Sequence, residues 1–208
     1  MSERDRPSLF YRFVVLASKP LLYGVYRLEV EGLEHVPASG GFVLSANHSS
    51  SFDPWPLGIA IGDRHYLRHM AKSELYWRPL KWVVDAGGGF PVRRGERDTE
   101  AIEKAIVLAR QGDAVVMFPE GTRRKKGLRK KFEARAHSGA ARIALEAGVP
   151  LVPAAISGTD RLARLPKLRV RYGPPVELDD LKGLDPREAA QLATERLMET
   201  IHRLEAEL

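Results

Sequence analysis

His48 and Asp53 stand five residues apart in the stretch Asn47-His48-Ser49-Ser50-Ser51-Phe52-Asp53. A histidine beside a carboxylate is a general base with its orienter. The carboxylate accepts one ring N–H, fixes the tautomer, and stabilises the imidazolium that forms when the other nitrogen takes a proton. On one regular helix five residues advance about 500°, which leaves the two side chains roughly 140° apart. The pair therefore needs a turn, and Pro54 favours one. A residue before proline is biased away from the α conformation, which predicts Asp53 outside the helix that follows. The competing reading makes Asp53 a helix N-cap with Pro54 at the first helical position, and His48 an ordinary loop histidine. Capping and orienting can coexist.

The elements around this pair place it at the end of a strand. Gly41 to Ala46 is a short apolar run of the kind that forms a buried strand. A second such run, Ala114 to Phe118, leads into Pro119-Glu120-Gly121-Thr122-Arg123. Further strands are expected over Leu28–Gly32, as an edge strand, and over Arg64–Met70, Leu151–Ile156 and Leu168–Tyr172. Helices are expected over Pro56–Ile61, from Ser73 through Leu80, over Asp98–Gln111 and Ser138–Ala147, and from Asp185-Pro186 to the C-terminus. Gly87-Gly88-Gly89 reads as a tight bend or a close backbone approach; neither a Walker pattern nor G-x-G-x-x-G in a βαβ context is present.

Alternating strands and helices imply an α/β sandwich around a central, mostly parallel mixed sheet flanked by helices. Ligands of such sheets sit beyond the carboxyl ends of the strands. His48 and Glu120 both fall just past such ends, and Lys72 lies near a third.

The 208 residues suit one domain with a sizeable core. The absence of cysteine excludes disulfides, thiolate zinc sites and a cysteine nucleophile. The histidines are scattered, with no metal-ligand spacing, so no metal is expected. A net charge of +6 suits anionic partners. Seven basic residues in the nine positions Arg123–Lys131 form its densest run, whose default reading is a solvated loop. That run lacks interleaved aromatics and any recognition motif, so no nucleic acid is expected. Ser49, Ser50 and Ser51 invite a serine-hydrolase reading, but no G-x-S-x-G elbow exists.

Residues 1–27 form an expected N-terminal segment, and 28–208 the main domain. Residues 8 to 28 carry many large apolar side chains with Arg12, Lys19 and Arg27 among them. Two short amphipathic helices, broken at Pro20, could lie in a membrane interface or pack on the core. No apolar run is long enough to span a bilayer. A peripheral place at the cytoplasmic face of a membrane, against an anionic surface, is the expectation.

Four blocks in this order carry a family resemblance. Asn47-His48 with Asp53 resembles the HxxxxD motif of the glycerolipid acyltransferases, in particular the 1-acylglycerol-3-phosphate acyltransferase type. Phe90-Pro91-Val92-Arg93-Arg94 resembles their second block, Phe118 to Arg123 matches their FPEGTR block, and Val149 to Ile156 resembles their fourth. HxxxxD alone is weak; HxxxxD followed by FPEGTR is specific. Past the third block the link from Phe132 to Gly139 is longer than the family's usual one.

The resemblance implies acyl transfer from a thioester, either acyl-CoA or acyl carrier protein, to the free hydroxyl of a lysophospholipid, with no cofactor. It implies His48 as general base and Asp53 as its orienter. It implies Arg94 and Arg123 as phosphate ligands with Lys72 third, and Asn47, Glu120, Gly121 and Thr122 as residues that order the site. The acceptor could instead be glycerol 3-phosphate, another lysophospholipid or an amino-acid lipid.

Overall fold

A computed structural model describes residues 9–62, 64–72, 81, 84, 87–92, 99–121 and 136–208. The expected helix after Ser73, the basic run from Arg123, and the site residues Arg94, Thr122 and Arg123 lie outside these residues.

Among the described residues, seven strands form one sheet: β1 (Glu29–Glu31), β2 (Phe42–Ala46), β3 (Leu67–Lys72), β4 (Gly89–Val92), β5 (Ala114–Met117), β6 (Leu151–Ser157) and β7 (Arg169–Tyr172). Their order is β1-β7-β6-β2-β5-β3-β4. All pairings are parallel except the antiparallel β6–β7 pair. The sheet is thus the mostly parallel mixed one expected. β6, β2, β5, β3 and β4 run the same way, so their carboxyl ends form one edge.

Helices cover both faces. α1 (Leu9–Lys19) and α2 (Pro54–Ile61) lie on one side. There Tyr11, Val15, Leu57 and Ile61 pack with Phe42, Leu44, Val116 and Val152 of the sheet. On the other side lie α3 (Thr99–Arg110), α4 (Gly139–Ala147) and α5 (Pro186–Ala206). Ala105, Ile106, Ile143, Leu197 and Ile201 from these helices pack with Val43, Val115 and Leu151. Successive strand residues point to opposite faces, and at β2, β5 and β6 both faces are buried, so these central strands read as continuous apolar runs, whereas β1 and β7 alternate. Asp185 caps α5 by accepting from the N–H groups of Arg187 and Glu188, the usual remedy for unpaired amides at a helix start.

The N-terminal segment departs from two separate helices. α1 continues directly into a π-helical stretch, Pro20–Val25. Pro20 has no N–H and its ring crowds the preceding turn; the wider π turn absorbs both, closing with Tyr26 N–H on Leu21 O at 3.0 Å. The third strand begins at Leu67 rather than Arg64. The glycine run makes the expected close approach: Gly88 has φ +85°, and a Cβ there would lie 2.0 Å from the carbonyl oxygen of Leu67.

Candidate active site

β2 and β5 pair in parallel, with Ser45 opposite Met117. The segments that leave them, Asn47-His48 and Phe118-Pro119-Glu120, therefore emerge side by side. Register alone brings the two sequence blocks together.

The turn after β2 is built around one buried carboxylate. Asp53 Oδ2 accepts from His48 Nδ1 at 2.8 Å and from the backbone N–H groups of Ser49 at 2.8 Å and Ser50 at 2.9 Å. Asp53 is fully buried and His48 nearly so. A carboxylate only accepts, so Nδ1 carries the proton. That leaves Nε2 as the basic nitrogen, and Nε2 has no hydrogen bond to a described residue. Phe118 stacks on the imidazole, with ring centroids 4.1 Å apart and planes 19° from parallel. The ring is thus held by an edge contact and a face contact.

Asp53 stays outside α2 as expected, at its N-cap position, but the expected departure of its backbone from the α conformation is corrected. Its φ and ψ are −53° and −40°, in the α region despite the following proline, and α2 starts at Pro54 rather than Pro56. Asp53 N–H closes a turn on Ser50 O at 3.2 Å. Folding the chain this tightly lets the carboxylate reach back to the amides of Ser49 and Ser50. Those bonds outweigh the local bias before proline. The side chain makes no cap hydrogen bond to α2, so its acceptors serve the histidine turn and not the helix.

Asn47 fastens the start of the same turn. Its amide donates to Ile156 O at 3.0 Å and accepts from Ile156 N–H at 2.8 Å. This two-point clamp continues the β2–β6 pairing with a side chain where the backbone ladder ends. Nδ2 also approaches Glu205 of α5 at 3.4 Å.

Glu120 is buried beside the site. Gly121 turns with φ +66°, its N–H on Phe118 O at 3.0 Å, and the His137 ring lies against its Cα, where a Cβ would come within 2.4 Å. Lys72 is the last residue of β3, whose neighbour β4 ends at Val92, two residues before Arg94. Of Lys72 only the backbone is described. Sequence reasoning gave no role to Phe118 beyond its block, and it missed Thr159, which donates to Asp53 Oδ1 at 2.5 Å. No spacing rule could have found Thr159, because 106 residues separate the two.

Beside the site, the N-terminal segment presents two opposite faces. Tyr11, Val15 and Leu22 are buried, while Leu9, Phe13 and Leu16 are 83%, 64% and 67% exposed. Trp55 Nε1 donates to Ser18 Oγ at 3.0 Å, which ties α1 to α2 directly behind the turn of Asp53. Among the described residues no helix is long and apolar enough to cross a membrane.

A model of the acyltransferase family matches residues 27–157. The chain is 32% identical over 204 residues to the 1-acyl-sn-glycerol-3-phosphate acyltransferase of Bacillus subtilis, covering 95% of this chain and 98% of that protein. It is 29% identical over 158 residues to a chloroplastic 1-acyl-sn-glycerol-3-phosphate acyltransferase of Brassica napus, spanning 44% of that longer protein. The crystal structure of the 1-acyl-sn-glycerophosphate acyltransferase of Thermotoga maritima superimposes with a TM-score of 0.65 at 26% identity, covering 93% of this chain and 78% of that one.

Proposed function

We propose that this chain, which belongs to the acyltransferase family, moves a fatty acyl group from an acyl thioester to the free hydroxyl of 1-acylglycerol 3-phosphate, giving phosphatidic acid. The observation that carries the chemistry is the His48 ring at the carboxyl edge of the sheet, with Nδ1 bonded to buried Asp53 and Nε2 without a hydrogen bond to any described residue.

A glycerol hydroxyl is a poor nucleophile until a base takes its proton during attack. Nε2 of His48 takes that proton as the oxygen bonds to the thioester carbonyl carbon. Asp53 stabilises the imidazolium. When the tetrahedral intermediate collapses, the carbon–sulfur bond breaks and the imidazolium returns the proton to the leaving thiolate. Such general-base catalysis contributes about 10²–10⁴-fold. No nucleophile from the enzyme is required, because the thioester is already activated and both substrates are held together.

Arg94, Arg123 and Lys72 hold the acceptor phosphate in this reading. Arginine's planar fork matches phosphate oxygens in pairs. The end of β3 at Lys72 and the end of β4 near Arg94 lie on the same edge as His48, which supports their assignment together. Asn47, Glu120, Gly121 and Thr122 order the turn segments. The acyl donor is acyl-CoA or acyl carrier protein, which share the thioester. The exposed apolar stripe of α1, flanked by Arg12 and Lys19, supports seating on an anionic lipid surface where the acceptor resides.

The test is release of coenzyme A from palmitoyl-CoA, with and without lysophosphatidic acid, by the wild type and by His48→Ala. Release that needs both lysophosphatidic acid and His48 is expected. Release that ignores the acceptor overturns the substrate, and release by His48→Ala overturns the base.

A further inference from the structure

The carboxylate that orients His48 has two oxygens with different partners. Oδ2 takes the histidine and the two serine amides. Oδ1 has one hydrogen bond among the described residues, from the hydroxyl of Thr159 at 2.5 Å. Thr159 is 2% exposed and Asp53 is fully buried, so no bulk water stands ready to replace that bond.

Thr159 is not local to the turn. It begins the 3₁₀ stretch Thr159–Arg164, which follows β6 through Gly158. Gly158 has φ +93°, and a Cβ there would come within 2.7 Å of the Lys167 carbonyl oxygen. This bend carries Thr159 across the sheet edge to Asp53. Three residues earlier on the same strand, Ile156 clamps Asn47. One segment, residues 156–159, therefore holds the histidine turn at its first residue and at its last.

We propose that Thr159 is a positioning residue for acyl transfer: its hydroxyl fixes the rotation of the Asp53 carboxylate and, through Oδ2, the plane and tautomer of the His48 ring. The inference rests on the reading of His48 and Asp53 as base and orienter. A carboxylate can turn about the bond to its Cβ. With Oδ1 pinned, Oδ2 stays in line with Nδ1–H. Without the hydroxyl, Oδ1 is left buried and unpaired, and the carboxylate gains by turning to share Oδ2's donors. The donor that suffers is the histidine, because the two serine amides are fixed in the backbone.

Thr159→Val keeps the shape and removes only the donor. Hydrogen bonds to charged groups are worth enough that kcat should fall between about tenfold and a hundredfold. The KM for palmitoyl-CoA and for lysophosphatidic acid should stay within about twofold, since Thr159 touches neither in this reading. Thr159→Ser, which keeps the hydroxyl, should restore most of the rate. The proton on His48 Nδ1 should resonate far downfield in the wild type and in Thr159→Ser, and move upfield in Thr159→Val. Should the valine variant fail to fold, Thr159→Ala offers the same comparison with space left over. Wild-type kcat in a folded Val or Ala variant overturns the proposal, as does a serine variant no better than valine or an unmoved Nδ1 proton. His48→Ala runs alongside. Full turnover there overturns the dyad itself, whereas a dead His48→Ala beside an active Thr159→Val overturns Thr159 alone.

Discussion

The turn of residues 47–53 and the helix α1 treat burial in opposite ways. In the turn, Asn47, His48 and Asp53 are taken out of water and each is paired: Asn47 to Ile156, His48 and the Ser49 and Ser50 amides to Asp53, and Asp53 to Thr159. In α1, apolar groups are left in water: Leu9, Phe13 and Leu16 project from the face opposite the core. Burying an unpaired polar group costs free energy, and so does exposing a large apolar one. The turn avoids its penalty with partners inside the chain. The helix does not, which is how a surface looks when its partner lies outside the chain. On the proposed reading, the turn serves chemistry and the helix serves location.

The sharpest way to test that separation is to remove the base. His48→Ala should lower turnover by about 10²–10⁴-fold while association with anionic liposomes stays at the wild-type level, read by sedimentation. Loss of both together would mean that the turn and the helix are one functional unit. The converse variant, Leu9→Ser with Phe13→Ser and Leu16→Ser, removes three exposed apolar side chains. At about 1.5–3 kcal/mol for each one fully transferred, liposome association should fall by at least about a hundredfold. Turnover of a short-chain, fully dispersed lysophosphatidic acid should remain. Its loss would show that α1 supports the site and not only its address.

Away from both regions, His69 on β3 supplies a pH dependence. It is half-buried, and burial, aided by neighbouring Arg68, pushes its pKa down to about 4 from an ordinary 6.5. As pH falls below 6.5 the unfolded chain takes up a proton that the folded protein refuses until about 4. Stability is therefore kept above pH 6.5 and lost between there and pH 4, by at most about 3 kcal/mol. Urea titrations across that window should show the loss, and His69→Gln should flatten it. The same slope in the variant would assign it to other groups. The smallest effect belongs to the clamp: Asn47→Ala leaves the N–H and C=O of Ile156 without that partner, and should cost about 1–3 kcal/mol in urea unfolding. A variant as stable as the wild type would mean that water replaces the clamp.

Much of the fold was legible because its signals are periodic and local. The apolar runs at Phe42–Ala46, Ala114–Met117 and Leu151–Ser157 are strands. The stripe Ala101, Ala105, Ile106 and Ala109 is the buried face of α3. Where one local rule failed, another local hydrogen bond prevailed: the proline bias at Asp53 yielded to the serine amides three and four residues back, and the break at Pro20 became a π turn. The pairing of His48 with Asp53 was readable from residue type and spacing. Its supports were not. Phe118 reaches the imidazole through the β2–β5 register, and Thr159 reaches Asp53 through the β2–β6 register and the bend at Gly158.

By itself the sequence determined the element types, the residues able to move a proton, and the amphipathic character of the N-terminal segment, since each is written in neighbours a few positions apart. The tertiary structure alone decided which oxygen of Asp53 faces the histidine, which strand braces the turn, and which apolar face of α1 turns outward. Those depend on registers between segments distant in the chain, and on two apolar faces that compete for one core. Neither a spacing nor a composition carries that information; it exists only once the strands have paired.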